Sequence, residues 1–199
     1  MRTTALITGI LLGLTSPLAA QGRWSLSLER QYTGYSEIAH DTSSPPVRLV
    51  PWHPGYFTLR LSHAGRRFGL GLGVGYGQGQ LAGRVEDFII LPDSKVTLID
   101  LAPELSRTVH TFASNATLSL HAGPMVTFWR PNGGDPRTTW GAAAGATVAL
   151  PLAARWDVVV RGDVAIMTNE MRADEATPDV TRAGSVRRGH IGLGIARRL

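Results

Sequence analysis

Residues 155–168 read Arg-Trp-Asp-Val-Val-Val-Arg-Gly-Asp-Val-Ala-Ile-Met-Thr, and no other stretch limits the fold as sharply. Taken two residues at a time, one side carries Trp156, Val158, Val160, Gly162, Val164 and Ile166. The other carries Arg155, Asp157, Val159, Arg161, Asp163 and Ala165. Period two is the period of a β-strand, whose successive side chains leave on opposite faces. The run exceeds the ~9–11 residues that a tilted strand needs to cross a bilayer. Sustained alternation of this kind is what a membrane β-barrel requires of each spanning segment.

Alternation alone does not say which face is wet, because a soluble sandwich and a membrane barrel share it with inside and outside exchanged. The non-apolar faces decide. A soluble sheet coats its solvent side with Lys and Glu, whereas this chain has a single lysine, Lys95, and offers mostly Gly, Ala, Ser and Thr with scattered Arg and Asp. Small residues suit the crowded interior of an eight-stranded barrel, which is just wide enough for side chains to fill. Were the polar face to meet lipid, Arg161 alone would cost ~2–4 kcal/mol at the bilayer midplane. Repeated on several strands, that would consume a typical total stability of ~5–15 kcal/mol. The apolar face is therefore expected to point outward.

At 199 residues the chain is expected to hold one domain, residues 21–199, behind a cleaved export signal at residues 1–20. Arg2 supplies the positive start of that signal, Ala5 to Leu14 its apolar stretch, Pro17 a break and Leu18-Ala19-Ala20 the small-residue cleavage site. With no cysteine, neither a disulfide framework nor a thiolate zinc site is possible, and no metal or cofactor is expected. Removing Arg2 lowers the formal charge from +5 to +4. The remaining excess is mostly arginine without any nucleic-acid motif, so no nucleic-acid partner is expected.

Eight alternating segments follow. The first starts at Arg23, with Trp24, Leu26 and Leu28 opposed by Ser25, Ser27, Glu29 and Gln31. Residues 34–54, broken by two proline clusters, read as a loop. Further strands are expected at 55–62, 67–79, 95–106, 112–129, 139–150, 155–168 and 189–199. Residues 81–94 read either as a hairpin extending its neighbours or as a ninth strand, an odd count that single-chain bacterial barrels avoid. Pro103 is expected to mark the weak end of its strand near a turn. The connections at 63–66, 107–111 and 151–154 are short, those at 34–54, 80–94 and 169–188 long, and 130–138 intermediate. Trp24, Phe112, Phe128, Trp129, Trp140 and Trp156 fall near strand ends, where they fit interfacial girdles.

Two groups of residues stand out as candidates for function. On one strand Gly69, Gly71, Gly73, Gly75, Gly77 and Gly79 alternate with Phe68, Leu70, Leu72, Val74 and Tyr76, giving one bare face. Since glycine weakens a strand, the missing side chains should make room for something. That is either long charged side chains from the opposite wall or a small ligand, the former being the reading preferred. The inward set Glu29, Arg60, Asp100, Glu104, His121, Arg155, Asp157, Arg161, Asp163 and His190 is nearly balanced in charge. Buried charges must be paired, so these residues predict an ion-pair network plugging the lumen rather than an open pore. Arg130, Arg137, Arg187 and Arg188 are expected at the outer rim, where guanidinium groups suit lipopolysaccharide phosphates.

The strand pattern, the export signal and the final strand, His190-Ile191-Gly192-Leu193-Gly194-Ile195-Ala196-Arg197-Arg198-Leu199, together resemble the small OmpA/OmpX-like outer-membrane barrels. The resemblance covers nearly the whole mature chain. It implies an all-β fold, an eight-stranded antiparallel up-and-down transmembrane barrel with short periplasmic turns and longer extracellular loops. It further implies a monomer in the bacterial outer membrane, in contact with outer-membrane lipid and lipopolysaccharide. The last strand looks like the signal read by the outer-membrane assembly machinery, with Gly194 and Leu199 in place, while Arg197 stands where an apolar or aromatic residue is usual. Some barrels of this size modify lipid A with a His, Ser and acid set; His63, His110, Ser62 and Ser114 lie near strand ends but form no His-x-Ser motif. The expected role is thus structural or interactive, through the loops, and not enzymatic. A small-molecule or lipid-binding barrel, or a narrow porin using the glycine-lined lumen, is the alternative.

Overall fold

The structure, a computed structural model, describes residues 23–41, 48–65, 67–85, 88–90, 95–132, 135–169 and 180–199. The expected export signal at residues 1–20 lies outside the described residues. Eight long strands carry the fold: β1 (Arg23–Tyr35), β3 (Arg48–Ala64), β4 (Gly69–Val85), β6 (Lys95–Thr111), β7 (Thr117–Pro131), β8 (Arg137–Ala153), β9 (Trp156–Thr168) and β11 (Ser185–Arg198). Three short strands, β2 (Ala39–Asp41), β5 (Phe88–Ile90) and β10 (Val180–Arg182), extend the sheet at one end.

Each long strand pairs antiparallel with the next, and the sheet closes where β1 meets β11 from Ser25↔Arg198 to Tyr35↔Arg188. Closure pairs each of the eight long strands on both sides, which is what permits a sheet to stand in hydrocarbon. The alternation puts the oily side chains outside: Leu70, Val164 and Ile191 each keep about two thirds of their surface exposed (64%, 67% and 67%). Arg161 and Asp163, on the other face of β9, keep only 5% and 6%. The interior is therefore polar at its middle. Small apolar clusters sit beyond it, Tyr56 with Val96, Leu98 and Trp129 in one and Met125 with Ala165 and Met167 in the other.

The turns at 65–68, 112–116 and 154–155 lie at the end that also holds both strand termini, Arg23 and Arg198; the chain leaves β1, β4, β7 and β9 for its longer connections at the other end. In the 65–68 turn the Gly65 amide donates to the Phe68 carbonyl at 3.1 Å, and a side chain on Gly65 would lie 2.5 Å from that oxygen. In the second turn Asn115 takes φ of 60°, a left-handed conformation that asparagine tolerates better than most residues. Its amide donates to the Phe112 carbonyl at 2.9 Å.

Several sequence expectations shift. The turn expected at 107–111 lies at 112–116, so β6 runs on to Thr111, and Pro103 falls within the strand rather than at its end. The β6–β7 ladder passes from Leu101↔Val126 to Leu105↔Ala122, leaving Pro103 facing Pro124, two residues with no N–H to donate. The strand expected at 55–62 begins at Arg48, since the prolines at 51 and 54 bend the ladder between Trp52 and Gly55 without ending it. Within the segment expected at 81–94, Phe88–Ile90 folds back on Gly83–Val85 as an extension of β4 and is not a ninth crossing.

Candidate functional site: the ion-paired lumen and the outer rim

The polar interior is organised as a chain of alternating charges. Glu29 on β1 accepts from Ser27 Oγ at 2.8 Å and from Arg60 Nε at 3.2 Å. Arg60 on β3 extends its Nη1 to Glu104 Oε2 at 2.8 Å, and Arg161 Nη2 on β9 reaches the same oxygen at 2.6 Å. Arg161 Nε donates to Asp163 Oδ2 at 2.8 Å. Asp163 is also bonded by His121 at Oδ1 and by His190 Nε2 at Oδ2, the latter at 2.6 Å. A second pair lies nearer the long-loop end, where Arg188 Nη1 on β11 meets Asp100 Oδ2 on β6 at 2.8 Å. Thr127 donates to the other oxygen of Asp100 at 2.6 Å. Arg188 also stands over the rings of Tyr56 and Tyr35, whose hydroxyls are 2.9 Å apart.

Bare glycine makes these contacts possible. Arg60 and Glu104 sit on strands two apart, roughly 10 Å at the usual interstrand spacing, with β4 between them. Gly73 is the cross-strand partner of Arg60, and Gly71 that of Glu104. A Cβ at Gly73 would come within 2.8 Å of Arg60 Nη1, and one at Gly71 within 2.7 Å of Glu104 Oε1. Gly75 lies beneath Asp100, Gly77 beneath the Tyr56 ring, Gly69 beneath Ser106 and Gly79 beneath Pro54. The lane is thus filled by side chains of the two adjacent strands, not by the opposite wall as the sequence suggested. Gly145 plays the same part on β8: it pairs with His121 on one side and Asp163 on the other, and a Cβ there would lie 2.8 Å from the His121 ring nitrogen.

What remains open is small. The void bounded by Arg60, Asp100, Glu104, His121, Arg161 and Asp163 measures about 30 Å³, space for about two waters. Toward the short-turn end it gives way to a wider vestibule of about 390 Å³, lined by hydroxyls such as Ser25, Ser62, Ser106 and Ser119.

Most of the inward set expected from sequence is gathered here, with two corrections. Arg155 is exposed in the 154–155 turn, because the strand starts one residue later. Asp157 stands apart from the central chain, paired with Arg198 at 3.1 Å at the vestibule mouth. Arg188, expected at the outer rim, is 2% exposed and lies inside, since β11 begins at Ser185 and carries it on the same face as His190. Of the other rim candidates, Arg130 and Arg187 are exposed and Arg137 is half-buried. Trp129, expected in a girdle, is 3% exposed and donates its indole N–H to Thr139 Oγ1 at 3.1 Å within the lumen. Alternation continued two residues past Thr127 places it there. Tyr35 and Tyr56 carry no charge or motif that marks them in the sequence, and only the fold brings their rings beneath Arg188. Among the remaining candidates, Ser62 and His63 take opposite faces of β3, His63 packs on Trp24 with ring centroids 4.8 Å apart, and Ser114 stands in the 112–116 turn. His110 packs edge-on against Phe112 at 4.5 Å. Among the described residues no carboxylate joins any of them.

A closed eight-stranded antiparallel barrel with an oily exterior and a charge-paired interior has the fold of the small outer-membrane β-barrels. Its fold is similar to that of the outer membrane protein OprG from Pseudomonas aeruginosa, with a TM-score of 0.64 at 9% identity over 90% of this chain and 96% of that one. It is similar as well to a major outer membrane protein from Thermus thermophilus, with a TM-score of 0.54 at 13% identity over 89% and 99%. Neisserial surface protein A gives a TM-score of 0.53 at 11% identity over 88% and 97%. At such identities the likeness is one of fold. No family model matches the sequence, and no curated protein matches it.

Proposed function

We propose that the chain is an integral protein of the bacterial outer membrane whose lumen is plugged by its own side chains and whose work is done at the outer surface, by loops that engage a partner or lipopolysaccharide. The observation that carries the reading is the continuous run of ion pairs from Glu29 through Arg60, Glu104 and Arg161 to Asp163, around a void of about 30 Å³. Four carboxylates, including Asp100, meet three guanidiniums across the lumen, and the two imidazoles at Asp163 occupy acceptor positions that would otherwise be left bare. An arrangement of that kind blocks solute passage and holds opposite walls together. The glycine lane, occupied by Arg60, Glu104, Asp100 and Tyr56, offers no cradle for a small molecule, which weighs against the ligand-binding and narrow-porin alternatives. The scatter of His63, His110, Ser62 and Ser114 weighs against lipid A modification.

Planar-bilayer recording on the purified barrel is the direct test: no stable large conductance is expected, and a steady large conductance would overturn the plugged reading. At the rim, Arg130, Arg137 and Arg187 are proposed to meet lipopolysaccharide phosphates. Changing all three to Ala is expected to abolish thermal stabilisation by added lipopolysaccharide, and unchanged stabilisation would count against that assignment. The chain is further proposed to be monomeric and to be handed to the assembly machinery by its last strand. There Gly194 packs against Glu29 and the exposed Leu199 bonds back to the Trp24 carbonyl at 2.9 Å.

A further inference from the structure

Arg30 stands on the outward face of β1. Along β1 the outward residues run Trp24, Leu26, Leu28, Arg30, Tyr32 and Gly34, and Arg30 is the single charge among them. No carboxylate among the described residues pairs with it. Its guanidinium lies over the Phe57 ring, 4.5 Å from the centroid, and across Gly55, where a Cβ would come within 2.6 Å of Nη2. Phe57 and the bare Gly55 therefore fix the position of the guanidinium on the outer wall. Beside it the outer wall is hollowed into a groove of about 920 Å³, edged by Tyr32, Val164 and Ile191 and floored by Gly34, Gly162 and Gly189. The floor is thin, with Thr33, Asp163 and His190 backing it from the lumen side. Arg187, two residues above Gly189 on the same outward face, is exposed at the top. Groove and cations lie toward the end opposite the short turns, which in barrels of this construction is the outer leaflet.

A guanidinium without a carboxylate partner on a hydrocarbon-facing wall is destabilising in proportion to its depth unless an anion meets it. A phosphate does so with two parallel N–H contacts, and the apolar groove beside it accepts an acyl chain. We infer that the groove between β3, β1, β11, β9 and β8 is a binding site for one molecule of lipid A, a lipid A phosphate on Arg30 and an acyl chain over Gly34, Gly162 and Gly189. The inference rests on the outer-membrane placement of the barrel and is independent of what the loops bind.

The test is native mass spectrometry of the full barrel in micelles with added bis-phosphorylated lipid A, against dephosphorylated lipid A and phosphatidylglycerol. A one-to-one lipid A adduct is expected, with roughly tenfold or greater loss of affinity in Arg30→Ala, from the worth of a charge-assisted contact. Gly162→Leu is expected to abolish the adduct by filling the groove. A side chain at Gly162 meets nothing within 4 Å, so that variant should fold as the parent does. An equally strong adduct in Arg30→Ala or in folded Gly162→Leu, or equal retention of dephosphorylated lipid A or phosphatidylglycerol, would overturn the site. Failure of the barrel to fractionate with the outer membrane would instead defeat the placement on which it rests.

Discussion

Arg161 holds Glu104 and Asp163 at once, and its own residue keeps only 5% of its surface exposed. Removing it takes from Glu104 one of its two guanidinium partners and leaves Asp163 with His121 and His190 alone. Breaking a buried pair from one side costs ~3–5 kcal/mol, most of it the penalty of the charge left behind. Arg161→Ala is therefore expected to lower the thermal midpoint strongly, read as the temperature at which the heat-modifiable gel band shifts. Arg161→Ala combined with Glu104→Ala should recover part of the loss. Asp100 and Arg188 permit a cleaner measurement because they join opposite walls through one principal contact, at 2.8 Å. A double-mutant cycle on that pair is expected to return a coupling of ~0.5–3 kcal/mol, and a value near zero would show that the contact does not tie the walls.

Among the strands, β4 differs from its neighbours in having one face without side chains, and that face is where Arg60 crosses to Glu104 and where the Tyr56 ring rests. Overpacking such a site costs ~1–3 kcal/mol. Gly77→Val, which presses a branched side chain onto the Tyr56 ring, is expected to destabilise by that much in urea unfolding. Gly34→Ala, which meets nothing within 4 Å on the outer face, is expected to stay within ~0.5 kcal/mol of the parent. The contrast separates glycine required by a close approach from glycine that is merely present. Gly145 belongs with the first kind, since the contact between His121 and Asp163 passes directly over it.

For the barrel as a whole, plugging and stability come from the same side chains. Replacing Arg60, Glu104 and Arg161 together with Ala is expected to open a measurable conductance in planar bilayers while lowering the unfolding midpoint. Conductance that stays at the parental level in the folded triple variant would mean that something else closes the lumen. Much of this molecule was legible in advance. Period two over Arg155 to Thr168 set the strand, the scarcity of lysine set the orientation, and alternating connection lengths set the short-turn end, all of which are local signals. Alternation also named Glu29, Arg60, Asp100, Glu104, His121, Arg161 and Asp163 as inward, because facing is a matter of parity along one strand. The partners were not legible, because they depend on the stagger between strands and on the few ångströms that Gly71, Gly73 and Gly145 leave open. Arg188 shows the limit most plainly: ending the strand at Gly189 left it on a loop, and only the pairing of β11 with β1 and β9 carried it inside to Asp100. Sequence alone determined which face each strand turns outward; closure of the sheet decided which charges meet, since a side chain's partner across a barrel is fixed by register and not by its neighbours in the chain.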